Sequence, residues 1–112
     1  VSITKYGRHF CGGSIISEDW VASAAHCFYN VREELEVFRL VKHPDFGHTG
    51  YRNDIALLKV EASFNFTSSK KHIGSICLPL GGEHVEGSIT ISGWASMFCA
   101  GYLEGGKDAC QV

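Results

Sequence analysis

Trp20-Val21-Ala22-Ser23-Ala24-Ala25-His26-Cys27 is the stretch on which the reading of this chain turns. Its first six residues are apolar or small and carry no charge, as a strand held inside a sheet requires, and it ends on a histidine and a cysteine. Outward from it, residues 9–16, 35–42, 55–60 and 88–92 read as further strands; in the last, Ile89 and Ile91 alternate with Ser and Thr. Residues 31–40 also fit a helix, since Val31, Leu35 and Phe38 keep a helical spacing and Glu33, Glu34 and Glu36 suit an exposed face; the second half is read as strand. Between the segments lie Gly12-Gly13, Tyr29-Asn30, His43-Pro44-Asp45, His48-Thr49-Gly50, Gly81-Gly82 and Gly105-Gly106, which supply turns and positive-φ positions. Short strands and frequent turns, with no repeat or heptad, predict an all-β antiparallel barrel or sandwich.

The 112 residues make one domain of ordinary size and are too few for two full ones. A net charge of −2 leaves no basic footprint for nucleic acid and no acidic tail. The hydrophobic share of 45% against 20% charged residues fits a folded chain rather than a disordered one. No apolar run approaches the ~20 residues of a membrane span. The opening Val1-Ser2-Ile3-Thr4 lacks the profile of a signal peptide, so the chain reads as soluble or as a piece of something longer. Five cysteines, Cys11, Cys27, Cys77, Cys99 and Cys110, are many for a reducing compartment, and no CxxC pair offers a zinc or redox spacing. Secretion is the expectation. The odd count leaves at least one sulfur to stay reduced or to join another chain. Asn65-Phe66-Thr67 fits the N-glycosylation acceptor pattern, which carries meaning only for an exported chain.

Two segments carry chemistry. A histidine at a strand end, as His26 is beside Ser23-Ala24-Ala25, suits a general base if its ring is fixed. Asn53-Asp54-Ile55-Ala56-Leu57-Leu58 puts a carboxylate just ahead of an apolar strand. If Asp54 accepts the Nδ1 proton of His26, the tautomer is set and Nε2 can take a proton from a nucleophile. Twenty-eight residues separate the two, so only the fold can join them.

His9-Phe10-Cys11-Gly12-Gly13-Ser14-Ile15-Ile16, Ser23-Ala24-Ala25-His26-Cys27, Asp54-Ile55-Ala56-Leu57-Leu58, Ile76-Cys77-Leu78-Pro79, Ser92-Gly93-Trp94 and Met97-Phe98-Cys99-Ala100-Gly101 look like landmarks, in order, of one family. The chain resembles the trypsin-like, chymotrypsin-fold serine endopeptidases over essentially its whole length. The resemblance implies an antiparallel double β-barrel in one partial peptidase domain, residues 1–112. About 1–75 would form the first barrel, mostly present, and 76–112 a fragment of a truncated second barrel. It makes His26 the base of a catalytic triad, Asp54 its acid, and Cys11–Cys27 a disulfide clamping the hairpin that leads to the base. Lys107-Asp108-Ala109-Cys110-Gln111 resembles the floor of the primary specificity pocket, with Asp108 where the family selects Arg or Lys. A carboxylate buried there is costly unless a substrate cation pairs with it. Protein or peptide substrates and protease inhibitors are the implied partners, with a second chain disulfide-linked through Cys77. No cofactor and no metal are implied.

The chain also departs from the pattern. Ser23 stands where Thr is more usual. After Gln111 the family runs into the Gly-Asp-Ser-Gly segment that holds the nucleophile and the oxyanion-hole amides, whereas here Val112 follows. None of Ser14, Ser23, Ser75, Ser88, Ser92 or Ser96 has a matching context. The Ile-Val-Gly-Gly-type start whose ammonium orders the pocket is absent as well. The stretch between Cys27 and Phe46 is shorter than the family pattern, and only Ala95-Ser96 lies between Gly93-Trp94 and Met97-Phe98-Cys99, where the family has a long second-barrel segment. The usual partners of Cys99 and Cys110 fall in missing stretches, so these two would pair with each other or link chains. Removed strands would expose sheet edges and apolar faces.

Three functions follow. The first is a secreted trypsin-like endopeptidase cleaving after Arg or Lys in its complete form, of which this chain, without a nucleophile, is inactive alone. The second is a pseudoprotease fragment acting as a binding or decoy module. The third, a small disulfide or metal domain unrelated to proteases, is remote, since the six histidines and the cysteines show no zinc spacing.

Overall fold

The computed structural model describes residues 1–29, 38–47, 52–82 and 87. The chain divides into two compact units, Val1–Leu78 and Pro79–Val112. Nearly all described structure lies in the first.

That unit is all-β and antiparallel, as the sequence predicts. The first two strands, β1 (Ser2–Lys5) and β2 (Arg8–Gly12), form a two-stranded sheet. Tyr6 (φ 50°) and Gly7 (φ 75°) join them with the positive φ angles that a two-residue hairpin turn demands. β1 went unread in the sequence because Ser2-Ile3-Thr4-Lys5 offers a single apolar residue, Ile3, and it alone of the strand is buried. The register shifts between Ile3 and Thr4, whose partners are Cys11 and His9, leaving Phe10 unpaired in a bulge. Its ring then packs edge-on against Phe28, centroids 5.9 Å apart.

The expected strand 9–16 is broken at Gly13 into β2 and a short β3 (Ser14–Ile15). Gly12-Gly13, read as a turn, instead carries the chain from one sheet into the next. A Cβ on Gly13 would lie 2.7 Å from Val21 Cγ1 and 3.0 Å from the Ala22 carbonyl oxygen, so only glycine fits this approach.

β4 (Trp20–Ser23), β5 (Phe38–Lys42) and β6 (Ala56–Val60) complete a four-stranded sheet in the order β3-β4-β6-β5. The pairing sets Val21 opposite Leu58 and Leu58 opposite Leu40, and these three, at 3%, 4% and 5% exposure, form an apolar row across the sheet. Ile3, Ala25, Phe28 and Ala56 close the core over that face. The sequence expected β4 to run through Ala25; the chain leaves the sheet after Ser23 and turns through a 3₁₀ segment, Ala25–Phe28. Among the described residues the two sheets do not close a barrel. The expected strand at 88–92 and most of the ambiguous 31–40 segment lie outside the described residues. Of the latter, Phe38–Leu40 is strand, as its second half was read.

Candidate active site

In a 3₁₀ turn, residues three apart eclipse one another. Ala25 and Phe28, three apart, are both fully buried, which turns His26 and Cys27 to a half-buried outer face. The turn has no side-chain cap of its own, since Ala24 stands at its N-terminal boundary. Asp54, from another part of the chain, takes that place. The β4–β6 ladder ends at Ser23 opposite Ala56, and because the strands are antiparallel, the residues after Ser23 meet those before Ala56. His26 and Asp54 are thereby neighbours despite their separation in sequence. Asn53 helps by holding φ at 55°, a left-handed conformation that asparagine tolerates, while its Nδ2 donates to the Asp45 carbonyl at 3.1 Å.

The carboxylate of Asp54 uses both oxygens on one residue. Oδ1 accepts the backbone N–H of His26 at 2.8 Å, and Oδ2 accepts the ring Nδ1–H at 2.6 Å. An ionised carboxylate only accepts, so the Nδ1 proton is fixed in place. Burial pushes the Asp54 carboxyl up. The hydrogen bonds from the His26 ring and backbone, the His26 charge and the Ala25 backbone outweigh it, and the group is held below its ordinary 3.8.

Cys27 is disulfide-bonded to Cys11 of β2, as expected, and the bridge ties the hairpin to the turn carrying His26. His26 Nε2 lies 3.9 Å from Cys27 Sγ. A disulfide sulfur has no proton to give, so with Nδ1 protonated this is a packing contact. Two anchors were not legible in the sequence. Ser23 Oγ donates to the Gly12 carbonyl at 2.8 Å, and Lys42 Nζ donates to the Phe28 carbonyl at 3.0 Å, closing the far end of the turn. A lysine at the end of an amphipathic strand carries no local signal for such a contact.

The remaining sequence candidates lie apart from this cluster or outside the description. Asn65 is exposed on a turn where its Oδ1 accepts the Ser68 N–H at 2.9 Å. Cys77 is an exposed free thiol. Asp108, Cys99 and Cys110 lie outside the described residues. No helix among the described residues is long and apolar enough to cross a membrane.

A model of the trypsin family matches residues 1–96. Trypsin-2 of Salmo salar is 32% identical over 158 aligned positions that take in 94% of this chain and 66% of the relative. Trypsin-1 of Gadus morhua is 29% identical over 94% of this chain and 64% of its own length, and trypsin II-P29 of Gallus gallus 31% identical over 94% and 62%. The chain thus spans about two thirds of the length of the curated relatives it matches. The alignments run over more positions than the chain has residues, so the relatives carry internal segments with no counterpart here. With a family match over most of its length, antiparallel β-sheets and the Cys11–Cys27 bridge, the chain belongs to the trypsin family of serine proteases.

Proposed function

We propose that this chain carries the base and the orienting acid of a secreted serine endopeptidase whose complete form cleaves peptide bonds after Arg or Lys. The observation that supports this most directly is the double hydrogen bond from His26 to Asp54. With Nδ1 held protonated, Nε2 is the ring atom able to take the proton of an attacking hydroxyl, and Asp54 stabilises the imidazolium that results. Asp108 is the residue proposed to select a cationic side chain, Asn65 to carry a glycan, and Cys77 to link a second chain. Protein substrates fit the family, and inhibitors of the complete enzyme are proposed partners.

The 112-residue chain by itself is proposed to lack turnover, since no serine in it has the sequence context of the nucleophile and acyl transfer needs both that nucleophile and oxyanion donors. This same feature favours a second reading, a non-catalytic decoy that occupies protease inhibitors. A fluorophosphonate probe and an Arg or Lys peptide ester, applied to the purified chain and to a hybrid supplied with the segments its relatives carry, test both. The endopeptidase reading expects labelling and cleavage in the hybrid alone, lost in His26→Ala; a hybrid active with Ala at 26 would overturn it. Tight binding of trypsin inhibitors by the chain alone, with an inert hybrid, supports the decoy.

A further inference from the structure

On β5 the buried Leu40 faces the core, its neighbours Arg39 and Val41 are exposed, and Lys42, next in the alternation after Leu40, returns to the core face. Packing alone calls for an apolar side chain there, because Ala56, the partner of Lys42 on β6, is fully buried. A lysine is tolerated at such a place when its stem covers apolar surface and its ammonium finds an acceptor. Lys42 is half-buried, and its Nζ donates to the carbonyl of the fully buried Phe28 at 3.0 Å.

That carbonyl is one the 3₁₀ turn cannot satisfy itself. Within the turn the Cys27 N–H goes to the Ala24 carbonyl and the Tyr29 N–H to the His26 carbonyl, at 3.3 Å each. The last carbonyls of a helical segment have no N–H ahead of them, and Phe28 is the last residue of this one. At the other end Asp54 Oδ1 accepts the His26 N–H. Both holds come from one ladder: Lys42 pairs with Ala56, the His43 N–H bonds the Ile55 carbonyl at 3.0 Å, and Asp54 directly precedes Ile55. The turn that carries the histidine is thus gripped by a carboxylate at its N-terminal end and by an ammonium at its C-terminal end, the signs that each end prefers.

We propose that Lys42 is a positioning residue for His26: by holding the Phe28 carbonyl it fixes the turn beyond the histidine, so that the backbone N–H and the ring Nδ1–H of His26 stay together on the Asp54 carboxylate. The functional weight of this inference rests on His26 serving as the base. Lys42 acts through the backbone. Held at the Asp54 end alone, the turn is free to pivot about the His26 N–H, which carries the ring away from Oδ2. A displacement of ~1 Å at a reacting group is enough to cost ~10²-fold in rate. The disulfide does not replace this hold. It ties the turn to Cys11 and the β1–β2 hairpin, whereas Lys42 ties it to the same ladder that positions Asp54.

The test uses the full 112-residue chain as Lys42→Met, which keeps an apolar stem and removes the donor, and as Lys42→Arg, which keeps a cationic donor. Long-range ¹H–¹⁵N spectra follow the His26 Nδ1–H and its exchange with water, while urea titration reads global stability. Lys42→Met should exchange this proton about 10–100-fold faster than the parent, the factor that loss of a charge-assisted hydrogen bond brings to local opening. Lys42→Arg should return it toward the parent rate. A purely architectural role would lower the urea midpoint and leave Nδ1–H exchange unchanged relative to the core amides of Val21 and Leu58. Where Lys42→Met loses its fold, Lys42→Gln, whose stem is one bond shorter, takes its place with the same expectation. In the hybrid supplied with the relatives' segments, Lys42→Met should lower kcat by up to ~10²-fold with KM nearly unchanged, and Lys42→Arg should recover most of it. Parent-like Nδ1–H exchange in a folded variant without the ammonium, or Arg as damaging as Met, would overturn the positioning role. A hybrid whose turnover survives His26→Ala would overturn the base role itself, while the exchange rates still decide whether Lys42 orients the ring.

Discussion

Asp54 meets His26 at two points, its Oδ1 on the backbone N–H and its Oδ2 on the ring Nδ1–H, so one carboxylate fixes both where the histidine sits and which nitrogen bears its proton. Asp54→Asn replaces an acceptor pair by an amide with one acceptor and one donor group. Long-range ¹H–¹⁵N spectra of the imidazole should show an Nδ1–H tautomer in the parent at neutral pH and a shift toward Nε2–H in the variant. An identical tautomer in both would mean that Asp54 does not orient the ring. In an active hybrid the same change should lower kcat by roughly 10⁴, a magnitude taken from the established behaviour of this family's triad rather than from the present geometry.

The same contact should leave a mark on acid stability. The Asp54 carboxyl sits below 3.8 in the folded chain, so the folded state binds its proton less readily than the unfolded one. Its stabilising contribution is therefore complete at pH values above the unfolded value and is lost as pH falls through the lower folded value. Denaturant midpoints should drop between about pH 5 and pH 2 more steeply for the parent than for Asp54→Asn, with parallel profiles excluding a role for this group.

How far the sequence revealed this arrangement depended on whether the signal was local. Trp20–Ser23 and Ala56–Val60 were legible because short runs of small and apolar residues, broken in the second only by the exposed Lys59, are the mark of central strands, and both are central. Ser2–Lys5 was not, since an edge hairpin strand with one buried residue has no pattern to read. The end of β4 was missed because Ala24-Ala25 is as apolar as a strand; the turn is set by Phe28 entering the core and by Asp54 capturing the His26 N–H, both tertiary events. His26, Asp54, Cys11 and Cys27 could each be named in the sequence, yet their convergence rests on the Ser23–Ala56 pairing, which no local window contains.

The Cys11–Cys27 bridge spans sixteen residues, and closing a loop of that size in the unfolded chain is worth about 3 kcal/mol on chain-entropy grounds. Replacing both cysteines by serine should lower the unfolding free energy by about that much and loosen the tie between hairpin and turn. Urea titration together with hydrogen exchange at residues 25–29 measures the two effects. A stability unchanged within error would show that the bridge adds nothing to the Ser23–Gly12 hydrogen bond.

Adjacent glycines make a controlled pair. At Gly13 a methyl group would press into Val21 Cγ1 at 2.7 Å and the Ala22 carbonyl at 3.0 Å, whereas at Gly12 its nearest neighbour would be the Val1 carbonyl at 3.9 Å. Gly13→Ala should cost about 1–3 kcal/mol through forced displacement of β4, and Gly12→Ala much less. Equal costs in thermal or urea unfolding would contradict the close approach of β4 to the link between the two sheets.

Leu57 and Leu58 test the strand register itself, because neighbours on a strand face opposite sides and a one-residue slip would exchange them. Leu58 lies between Val21 and Leu40 in the buried row, while Leu57 sits between Ala22 and Val41, and Val41 is 40% exposed. Leu58→Ala opens a cavity between two buried neighbours and should cost about 2–5 kcal/mol. Leu57→Ala removes a side chain that is only half-buried, so its cost should fall below that range. The order of the two losses is the decisive result, since absolute values depend on how far each site relaxes. A larger loss at Leu57 would place the opposite face of β6 in the core. It would also move Ala56 out of register with Ser23, and with it the alignment that brings Asp54 to His26.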